Sequence, residues 1–481
     1  YYEEALRRDP NDVRCLNQTG LWYLRRGRFD KAEAYLRKAV KIWQKRNPNP
    51  YDGEAIFNLA LALKYKDHLS CVPSGAVGGA LAEAYSLFWK STWNKAWAAA
   101  GYFEAACISV AQGRFDDALD ELNRCLVFNS CNHRARALKA TVLRLQQEGR
   151  QKGALQTGTS RELNDRLTLI KESLQLDHFN YGILYEQYLL TKDEDVLKQI
   201  VELMHGNVYN YHELALDYAL AGRWEECLDV LHLSPAPHPL TYYYIGWAQF
   251  QLGDAAAAAA AFKQAGQADN DCCFPNRLED ILVLESAKQL LSSEAKAPYY
   301  LGCLYYDKRQ YDLAVSNWEQ SARLDPTFPT VWRNLALARF NKQGRRQEAV
   351  EYIERAFHLD ESDARMLMEL DQLRKRLHHP HAERLAFLQH YPDLIRQRDD
   401  LVLEEISLLN QLGRYEEAMQ KLDNHVFHPW EGGEGKVTAQ YQICRVEQAK
   451  QLLSECRECR VETVEFAAAT DGCAKGKAVA N

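Results

Sequence analysis

The sequence repeats a unit of about 34 residues, and this periodicity restricts its fold more than any other feature. The clearest copy spans residues 298–326, and in the next copy Leu335-Ala336 follows Leu301-Gly302 after 34 positions. Within each copy, apolar residues recur at helical spacing over two short segments. A helix pair of this size cannot bury its apolar face alone, so neighbouring copies must stack. The sequence therefore predicts an all-α solenoid.

A Gly-Arg-aromatic tripeptide marks corresponding positions in several copies. It occurs at Gly27-Arg-Phe29, Gly113-Arg-Phe115, Gly222-Arg-Trp224 and Gly413-Arg-Tyr415. Glycine readily adopts the positive φ that ends a helix, and we expect the aromatic ring to fill the gap between the two helices. One such tripeptide is a weak signal, whereas its recurrence at matching positions strongly supports the helix-pair assignment.

These residues resemble the tetratricopeptide repeat (TPR), with its Trp-x2-Leu-Gly-x2-Tyr first helix, its alanine-containing second helix and its terminal proline. The resemblance implies a right-handed superhelix of antiparallel helix pairs whose first helices line a concave groove. It also implies that the groove holds a segment of a partner protein. A carboxylate clamp of the chaperone-binding type is disfavoured, because aromatic residues stand where its Lys and Asn residues would be.

Composition shifts and irregular segments divide the chain. Tyr1 to Pro10 matches only the second half of a repeat, so we expect the array to start mid-unit, as a fragment of a longer protein would. Ser234-Pro-Ala-Pro-His-Pro239 cannot form a helix and predicts a hinge. The predicted organisation is a first sub-array over 1–233, a hinge at 234–240, a second sub-array over 241–430, a glycine-rich loop with a partial helix over 431–454, and a disordered or aberrant tail over 455–481.

Four further stretches resemble one family of bacterial and fungal TPR proteins: Arg46 to Glu54, Ser91 to Trp97, Phe274 to Leu278 and Phe427 to Lys436. In that family the array follows an N-terminal β-rich domain of uncharacterised function that is associated with carbohydrates. The resemblance implies that such a domain lies outside this sequence and that an activity could reside in it.

The bulk composition excludes several classes of function. The net charge is -7 and the isoelectric point is about 6.1, which disfavours nucleic acid and acidic membranes as partners. No apolar run approaches the roughly 18 residues of a membrane helix. The chain contains 13 cysteines without a disulfide-type spacing, which predicts free thiols and a cytoplasmic location.

Catalytic and metal-binding signatures are weak. The sequence lacks a phosphate-binding loop, a nucleophile elbow and a zinc-protease helix. Cys456-Arg-Glu-Cys459 has a metal-ligand spacing but no second pair, and in His378-His-Pro-His381 the proline prevents a regular helical face. We therefore predict no catalytic residue, metal or cofactor in this chain.

Aromatic residues at matching first-helix positions are candidates for the groove. Aromatic rings give a large contact area at low entropic cost. The alternative is that these rings pack between helices as ordinary core. The groove candidates are Tyr243, Trp247, Phe250, Tyr299, Tyr306, Arg333 and Phe340.

Two glycine- and glutamate-containing loops form a second candidate site. Their carboxylates and an aromatic ring suit sugar chemistry, although the glycines could equally serve tight turns. These loop candidates are Asp52, Glu54, His428, Trp430, Glu431 and Glu434.

Two functions remain open on the sequence alone. The first is a scaffold that holds a protein or peptide segment, or a further domain of its own, in the groove. The second is the helical part of a carbohydrate-active enzyme. Convergence of the loops around Asp52 and Glu431 on one pocket would favour the second function.

Overall fold

The computed structural model describes residues 1–47, 52–69, 79–152, 160–235, 237–430 and 432–454. This described part of the chain is helical and contains no β-strand, as the all-α prediction requires. In chain order its helices are α1 (Tyr2–Arg8), α2 (Val13–Leu24), α3 (Phe29–Arg46), α4 (Glu54–Leu69), α5 (Gly79–Ser91), α6 (Lys95–Ala111), α7 (Phe115–Phe128), α8 (His133–Lys152), α9 (Ser160–Leu176), α10 (Tyr181–Thr191), α11 (Glu194–Met204), α12 (Val208–Leu220), α13 (Trp224–His232), α14 (Pro239–Gln251), α15 (Ala255–Gln267), α16 (Leu278–Leu290), α17 (Lys296–Asp307), α18 (Tyr311–Leu324), α19 (Pro329–Ala338, extended by a π-helical turn over Arg339–Gln343), α20 (Arg346–Leu359), α21 (Ala364–Arg376), α22 (His381–Leu388), α23 (Pro392–Arg396), α24 (Asp399–Gln411) and α25 (Tyr415–Asn424). Residues 436–454 are also helical.

A glycine in the first helix of a pair faces a large side chain 16 residues later in the second helix. A Cβ placed on Gly20 would lie 2.4 Å from Leu36, one on Gly246 would lie 2.4 Å from Phe262, and one on Gly302 would lie 2.3 Å from Trp318. Each distance is far below van der Waals contact, so only glycine allows the helices to approach this closely. The small residue therefore fixes the packing of its helix pair.

The Gly-Arg-aromatic tripeptides end the first helix of each pair as predicted. Gly27 and Gly113 both have a φ of 70°. The amide of the following residue then turns back onto the helix: Arg28 N donates to Tyr23 O at 3.0 Å. This hydrogen bond satisfies a carbonyl group that the helix end would otherwise leave unpaired.

The chain forms two compact units, residues 1–325 and 326–481. The sequence instead places a boundary at the proline-rich segment 234–240, which lies within the first unit. Residues 234–235 and 237–238 are non-helical, and Pro239 occupies the first turn of α14. A hinge there stays a prediction.

The first unit closes on itself. Its early helices contact its late ones: Tyr65 Oη on α4 donates to Glu279 Oε1 on α16 at 2.7 Å. Arg28 also donates to Gln310 Oε1 at 3.3 Å, and a Cβ on Gly27 would meet Ile281. These contacts join residues more than 200 positions apart in the sequence. The early and late helices of this unit consequently meet instead of leaving an open-ended groove between them.

The degenerate hairpins between residues 133 and 200 are held by buried charges. The carboxylate of Glu186 on α10 is fully buried. It accepts hydrogen bonds from Arg144 at 3.1 Å, Arg166 at 3.2 Å, Thr141 at 2.8 Å and Tyr218 at 3.1 Å. This network joins α8, α9, α10 and α12, where the repeat pattern is weakest.

The second unit has its own apolar core, centred on residues such as Ile353, Phe357, Leu367 and Ile406. Arg384 is buried beside this core and donates to Asp371 Oδ2 at 2.6 Å and Glu404 Oε1 at 2.7 Å. A buried charge of this kind is tolerated because its donors are paired.

The Ser-, Gly- and Pro-containing stretch from Lys66 to Leu81 predicts a loop, but its first residues belong to α4 and its last to α5. Leu69 and Leu81 pack against the apolar core of these helices, which explains the difference. Residues 70–78 lie outside the described residues. The predicted tail over 455–481 lies outside the described residues. Among the helices in the described ranges, none combines the length and apolar character needed to cross a bilayer.

Candidate binding cavity in the first unit

Five helices of the first unit turn charged and apolar side chains toward a common cavity. On α4 the lining residues are Leu61, Lys64 and Tyr65, and on α12 they include Glu213 and Asp217. Their spacing of three and four residues places each set on one helix face. The remaining lining residues are Glu104 on α6, Arg134 on α8, Leu216 and Leu220 on α12, and Arg277 and Glu279 at the start of α16.

The charges of the cavity wall are paired across helices. Lys64 Nζ lies 2.7 Å from Glu104 Oε2, and Arg134 Nε lies 2.7 Å from Asp217 Oδ1. Arg277 forms an ion pair with Glu213. Each pair connects two different helices, so the cavity and the closed arrangement of the unit depend on the same contacts.

Burial changes the proton affinity of several wall groups. Burial alone would lower the pKa of the Lys64 ammonium, but Glu104 reverses this effect and the pKa lies above its ordinary value. Burial and the neighbouring Glu279 raise the pKa of the Tyr65 phenol well above 10, so this hydroxyl remains a hydrogen-bond donor. Burial also raises the pKa of Asp217, against the opposing effect of Arg134.

The cavity has a volume of about 330 Å³. This lies within the range of roughly 300–1,000 Å³ that is typical of ligand pockets. A second cavity of about 230 Å³ shares Arg134, Glu213 and Asp217 with the first and extends to His133 and Asp177. The concave surface of the unit can therefore accommodate polar groups larger than a few waters.

Three of the predicted groove aromatics occupy the packed core instead. The side chains of Tyr243 and Trp247 are 0% and 1% exposed, and Tyr299 is 9% exposed. Tyr243 donates to Glu294 Oε2 at 2.9 Å, and Trp247 packs edge-on against Trp224. The prediction that these three rings lie on an open groove is wrong, because neighbouring helices cover the faces that a partner would touch.

The other groove candidates are half-buried. Tyr306 packs against Tyr311 and Trp318, and Phe250 retains part of its surface. Arg333 and Phe340 belong to the second unit, where Arg333 forms an ion pair with Glu369. The partner-binding role of these four residues stays a prediction, and none of them lines the charged cavity.

The loop candidates near residue 52 have local roles. Asp52 Oδ1 accepts a hydrogen bond from Glu54 N at 2.9 Å, at the start of α4. Glu54 Oε1 accepts one from Gln18 at 3.2 Å. These contacts stabilise the N-terminus of the helix and tie it to α2.

The loop candidates near residue 430 also form local contacts. The His428 amide donates to Asp399 Oδ2 at 2.7 Å, while the indole of Trp430 covers Gly433, on which a Cβ would lie 2.4 Å from the ring. Gly432 and Gly435 have φ values of 78° and 71°, so both serve turns. Glu434 is exposed, and Glu431 lies outside the described residues. A carbohydrate role for either loop stays a prediction.

Within the described ranges, no group of three or more His, Cys, Asp or Glu side chains is arranged to hold a metal ion. This includes the segment His378-His-Pro-His381. Cys456 and Cys459 lie outside the described residues.

Comparison with known proteins identifies the repeat in three stretches. Models described as tetratricopeptide repeat match residues 1–48 and 299–364, and another matches residues 241–268. These three stretches are tetratricopeptide repeats. Their location agrees with the repeat copies read from the sequence, and the two models include the Gly20, Gly246 and Gly302 helix pairs described above. The β-rich, carbohydrate-related family has no counterpart among these matches.

Several solved TPR-type structures are similar to parts of the chain. Yeast Tom70 is 14% identical, with 91% of this chain and 96% of Tom70 covered and a TM-score of 0.28. MamA from Desulfovibrio magneticus RS-1 is 19% identical over 40% of this chain and 97% of its own, with a TM-score of 0.24. PilF of Pseudomonas aeruginosa is 16% identical over 45% of this chain and 88% of its own, with a TM-score of 0.27.

The cavity residues were not among the sequence candidates, although a signal for them exists. Lys64 interrupts the apolar run Leu61-Ala-Leu-Lys-Tyr65, and Glu104 follows Gly101-Tyr-Phe in a helix that is otherwise apolar. A charge on the buried face of a helix is unusual, because it must be paired. Such positions, rather than the aromatic ones, indicate the inner surface of this unit.

Proposed function

We propose that this TPR-type helical scaffold binds a segment of a partner protein and that the charged cavity of the first unit is the contact site. The convergence of side chains from five helices on one cavity of about 330 Å³ supports this proposal most directly. Its wall offers hydrogen-bonding groups from both acidic and basic side chains. Such a surface suits the polar backbone and charged side chains of a peptide better than it suits an apolar ligand.

The enclosed form of the unit restricts how a segment can enter. Tyr65 and Glu279 connect the two ends of the unit across the cavity. A long extended peptide lying along an open groove is therefore disfavoured. We propose that one or two residues of the partner insert into the cavity, from a loop or a chain terminus.

Occupying the cavity with a bulky side chain tests the proposal. Leu61 lines the cavity and is half-buried, so Leu61→Trp should reduce its volume. Leu252→Trp is the matched control, because Leu252 is exposed and lies outside the cavity wall. Both variants and the unchanged protein are screened against a combinatorial library of capped hexapeptides, with helicity checked by circular dichroism.

We expect the unchanged protein and Leu252→Trp to select the same peptides. Leu61→Trp should no longer bind these peptides. Selection of no peptide by the unchanged protein would overturn the binding function. Equal selection by all three proteins would place the binding site elsewhere.

We also propose that the protein works in a reducing compartment. The cysteines in the described ranges are free thiols, and five of the nine are buried. Burial raises the pKa of Cys107 to about 12 and of Cys125 to about 11, so these thiols are protonated and unreactive.

A further inference from the structure

The cavity wall carries more acidic than basic groups. Its basic side chains are Lys64, Arg134 and Arg277, and its acidic ones are Glu104, Glu213, Asp217 and Glu279. Three positive and four negative charges leave one negative charge in excess. Because the cavity is concave, this excess is screened less than it would be on a convex surface.

Each basic group of the wall already has an acidic partner. Lys64 is held by Glu104, and only 4% of its side chain is exposed. Arg134 is held by Asp217 and Arg277 by Glu213. An anionic ligand would therefore compete with a wall carboxylate for each of these basic groups, and that carboxylate would repel it.

Among the residues that the structure describes, no basic side chain forms an ion pair with the wall carboxylate of Glu279. It accepts a hydrogen bond from the Tyr65 hydroxyl at 2.7 Å, which fixes its orientation but leaves its charge uncompensated. Its side chain is half-buried at the start of α16. A carboxylate in such a place gains substantially from a charge-assisted hydrogen bond.

Among the paired side chains of the wall, that of Glu213 is the most exposed, whereas those of Arg134 and Asp217 are 48% and 40% exposed. The side chain of Glu213 is 59% exposed and that of its partner Arg277 is 31% exposed. A ligand entering the cavity therefore meets the Glu213 carboxylate more readily than the Arg277 guanidinium. Glu213 and Glu279 are brought to the same cavity by different helices, α12 and α16.

We infer that the group recognised in this cavity is a cation of a protein segment, a lysine or arginine side chain, with Glu279 as its principal partner. This inference rests on the proposed function of the cavity as a peptide-binding site. The ammonium or guanidinium supplies the charge that the wall lacks, and no existing ion pair has to break. The wall residues Leu61, Leu216 and Leu220 would cover the aliphatic stem of such a side chain.

The test uses capped hexapeptides with Lys, Arg, Gln or Glu at one central position, measured by isothermal titration calorimetry. Glu279→Gln keeps the shape and the hydrogen-bond acceptor but removes the charge. Glu225→Gln is the matched control, since Glu225 is exposed, in the same unit and outside the cavity wall. Unfolding curves of both variants show whether the fold is retained.

Lys and Arg peptides should bind at least about tenfold more tightly than the Gln and Glu peptides. Glu279→Gln should remove most of that preference, and Glu225→Gln should leave it unchanged. The preference should also weaken as ionic strength rises.

The outcomes separate this inference from the proposed function. If peptides bind and Leu61→Trp abolishes their binding, but Glu peptides or neutral peptides bind best, the cavity is a binding site and the inference is wrong. If Glu279→Gln retains the full preference for Lys and Arg, Glu279 is not the partner. If neither the hexapeptide library nor these peptides bind, the proposed function fails and the inference fails with it.

Discussion

Gly302 lies directly against the indole of Trp318, and a Cβ on Gly302 would come within 2.3 Å of Trp318 Cδ1. The indole cannot easily withdraw, because its Nε1 donates to Tyr299 O at 3.1 Å and its side chain is almost fully buried. The same relation joins Gly20 to Leu36 and Gly246 to Phe262. This contact therefore provides a direct test of the helix-pair packing.

Gly302→Leu should lower the free energy of unfolding by roughly 1–3 kcal/mol, because a branched side chain is forced into a filled space. Chemical denaturation followed by circular dichroism measures the change. Gly149→Ala in α8 is the control, since a Cβ there meets no atom within 4 Å, and alanine should stabilise the helix by roughly 0.5–1 kcal/mol. Unchanged stability of Gly302→Leu would contradict the packing described here.

Trp247→Ala should destabilise the first unit by about 3–5 kcal/mol, because it removes a buried indole and leaves a cavity beside Trp224. Trp93→Ala is the matched control, because the Trp93 side chain is 67% exposed and its loss should change stability little. Thermal unfolding compares the two. Similar behaviour of both variants would mean that Trp247 is accessible, as the sequence-based groove assignment requires.

Glu186→Gln should cost about 3–5 kcal/mol, because it leaves the buried Arg166 and Arg144 guanidinium groups with less negative charge around them. Asp120→Asn removes a carboxylate from an exposed pair with Arg124, and we expect a change of about 0.5 kcal/mol or less. Urea denaturation of both variants provides the comparison. Equal effects would show that the network among α8, α9 and α10 contributes no more than a surface pair.

His212 should make folding sensitive to acid. Burial, with smaller effects from His238 and Arg277, lowers the pKa of His212 in the folded protein to about 3, whereas an unfolded histidine titrates near about 6.5. The unfolded chain therefore binds the proton first, and this contribution to stability is complete above about pH 6.5 and is lost as the pH falls toward 3. The loss amounts to about 1.4 kcal/mol per pH unit in that window.

The measurement is the free energy of unfolding at pH values from roughly 7.5 down to roughly 5. His212→Gln keeps polar atoms near Thr241 and should flatten the pH dependence relative to the unchanged protein. His178→Gln, at an exposed position, should leave the dependence as it is. Parallel curves for all three proteins would refute the buried neutral state of His212.

Tyr65→Phe should cost about 1.5–3 kcal/mol, the range for a hydrogen bond to a charged group, since it removes the Tyr65–Glu279 hydrogen bond. Amide hydrogen exchange should accelerate in both α4 and α16, although more than 200 residues separate them. Tyr181→Phe loses a hydrogen bond at 3.3 Å to the Leu203 carbonyl, and its effect should stay between α10 and α11. Exchange that changes in α4 alone would argue against closure of the unit.

Much of the fold could be predicted from the sequence because the residues that define the repeat make short-range contacts. Glycine at the close approach and at the helix end, and a proline after the second helix, each act within one helix pair. The glycines at positions 27 and 113 therefore have the positive φ that the sequence predicts. The limits of α4 and α5 were harder to predict, because packing extends both helices beyond their local propensity.

The candidate site could not be predicted in the same way. An aromatic residue at a first-helix position is compatible with both the groove and the core, and only the neighbouring helices decide that Trp247 is covered. Closure of the first unit sets Tyr65 beside Glu279, and no local pattern encodes that contact. The sequence indicates the cavity only through charged residues on otherwise apolar helix faces, such as Lys64.

Closure of the first unit has a consequence for its evolution. An open array can gain or lose a copy by duplication, because each copy touches only its immediate neighbours. In this unit an extra helix pair between α6 and α12 would carry α16 away from α4 and separate Tyr65 from Glu279. We therefore expect the number of helix pairs up to α16 to be the same in any protein that shares this closure. Variation in length should be confined to the loops that connect the helices.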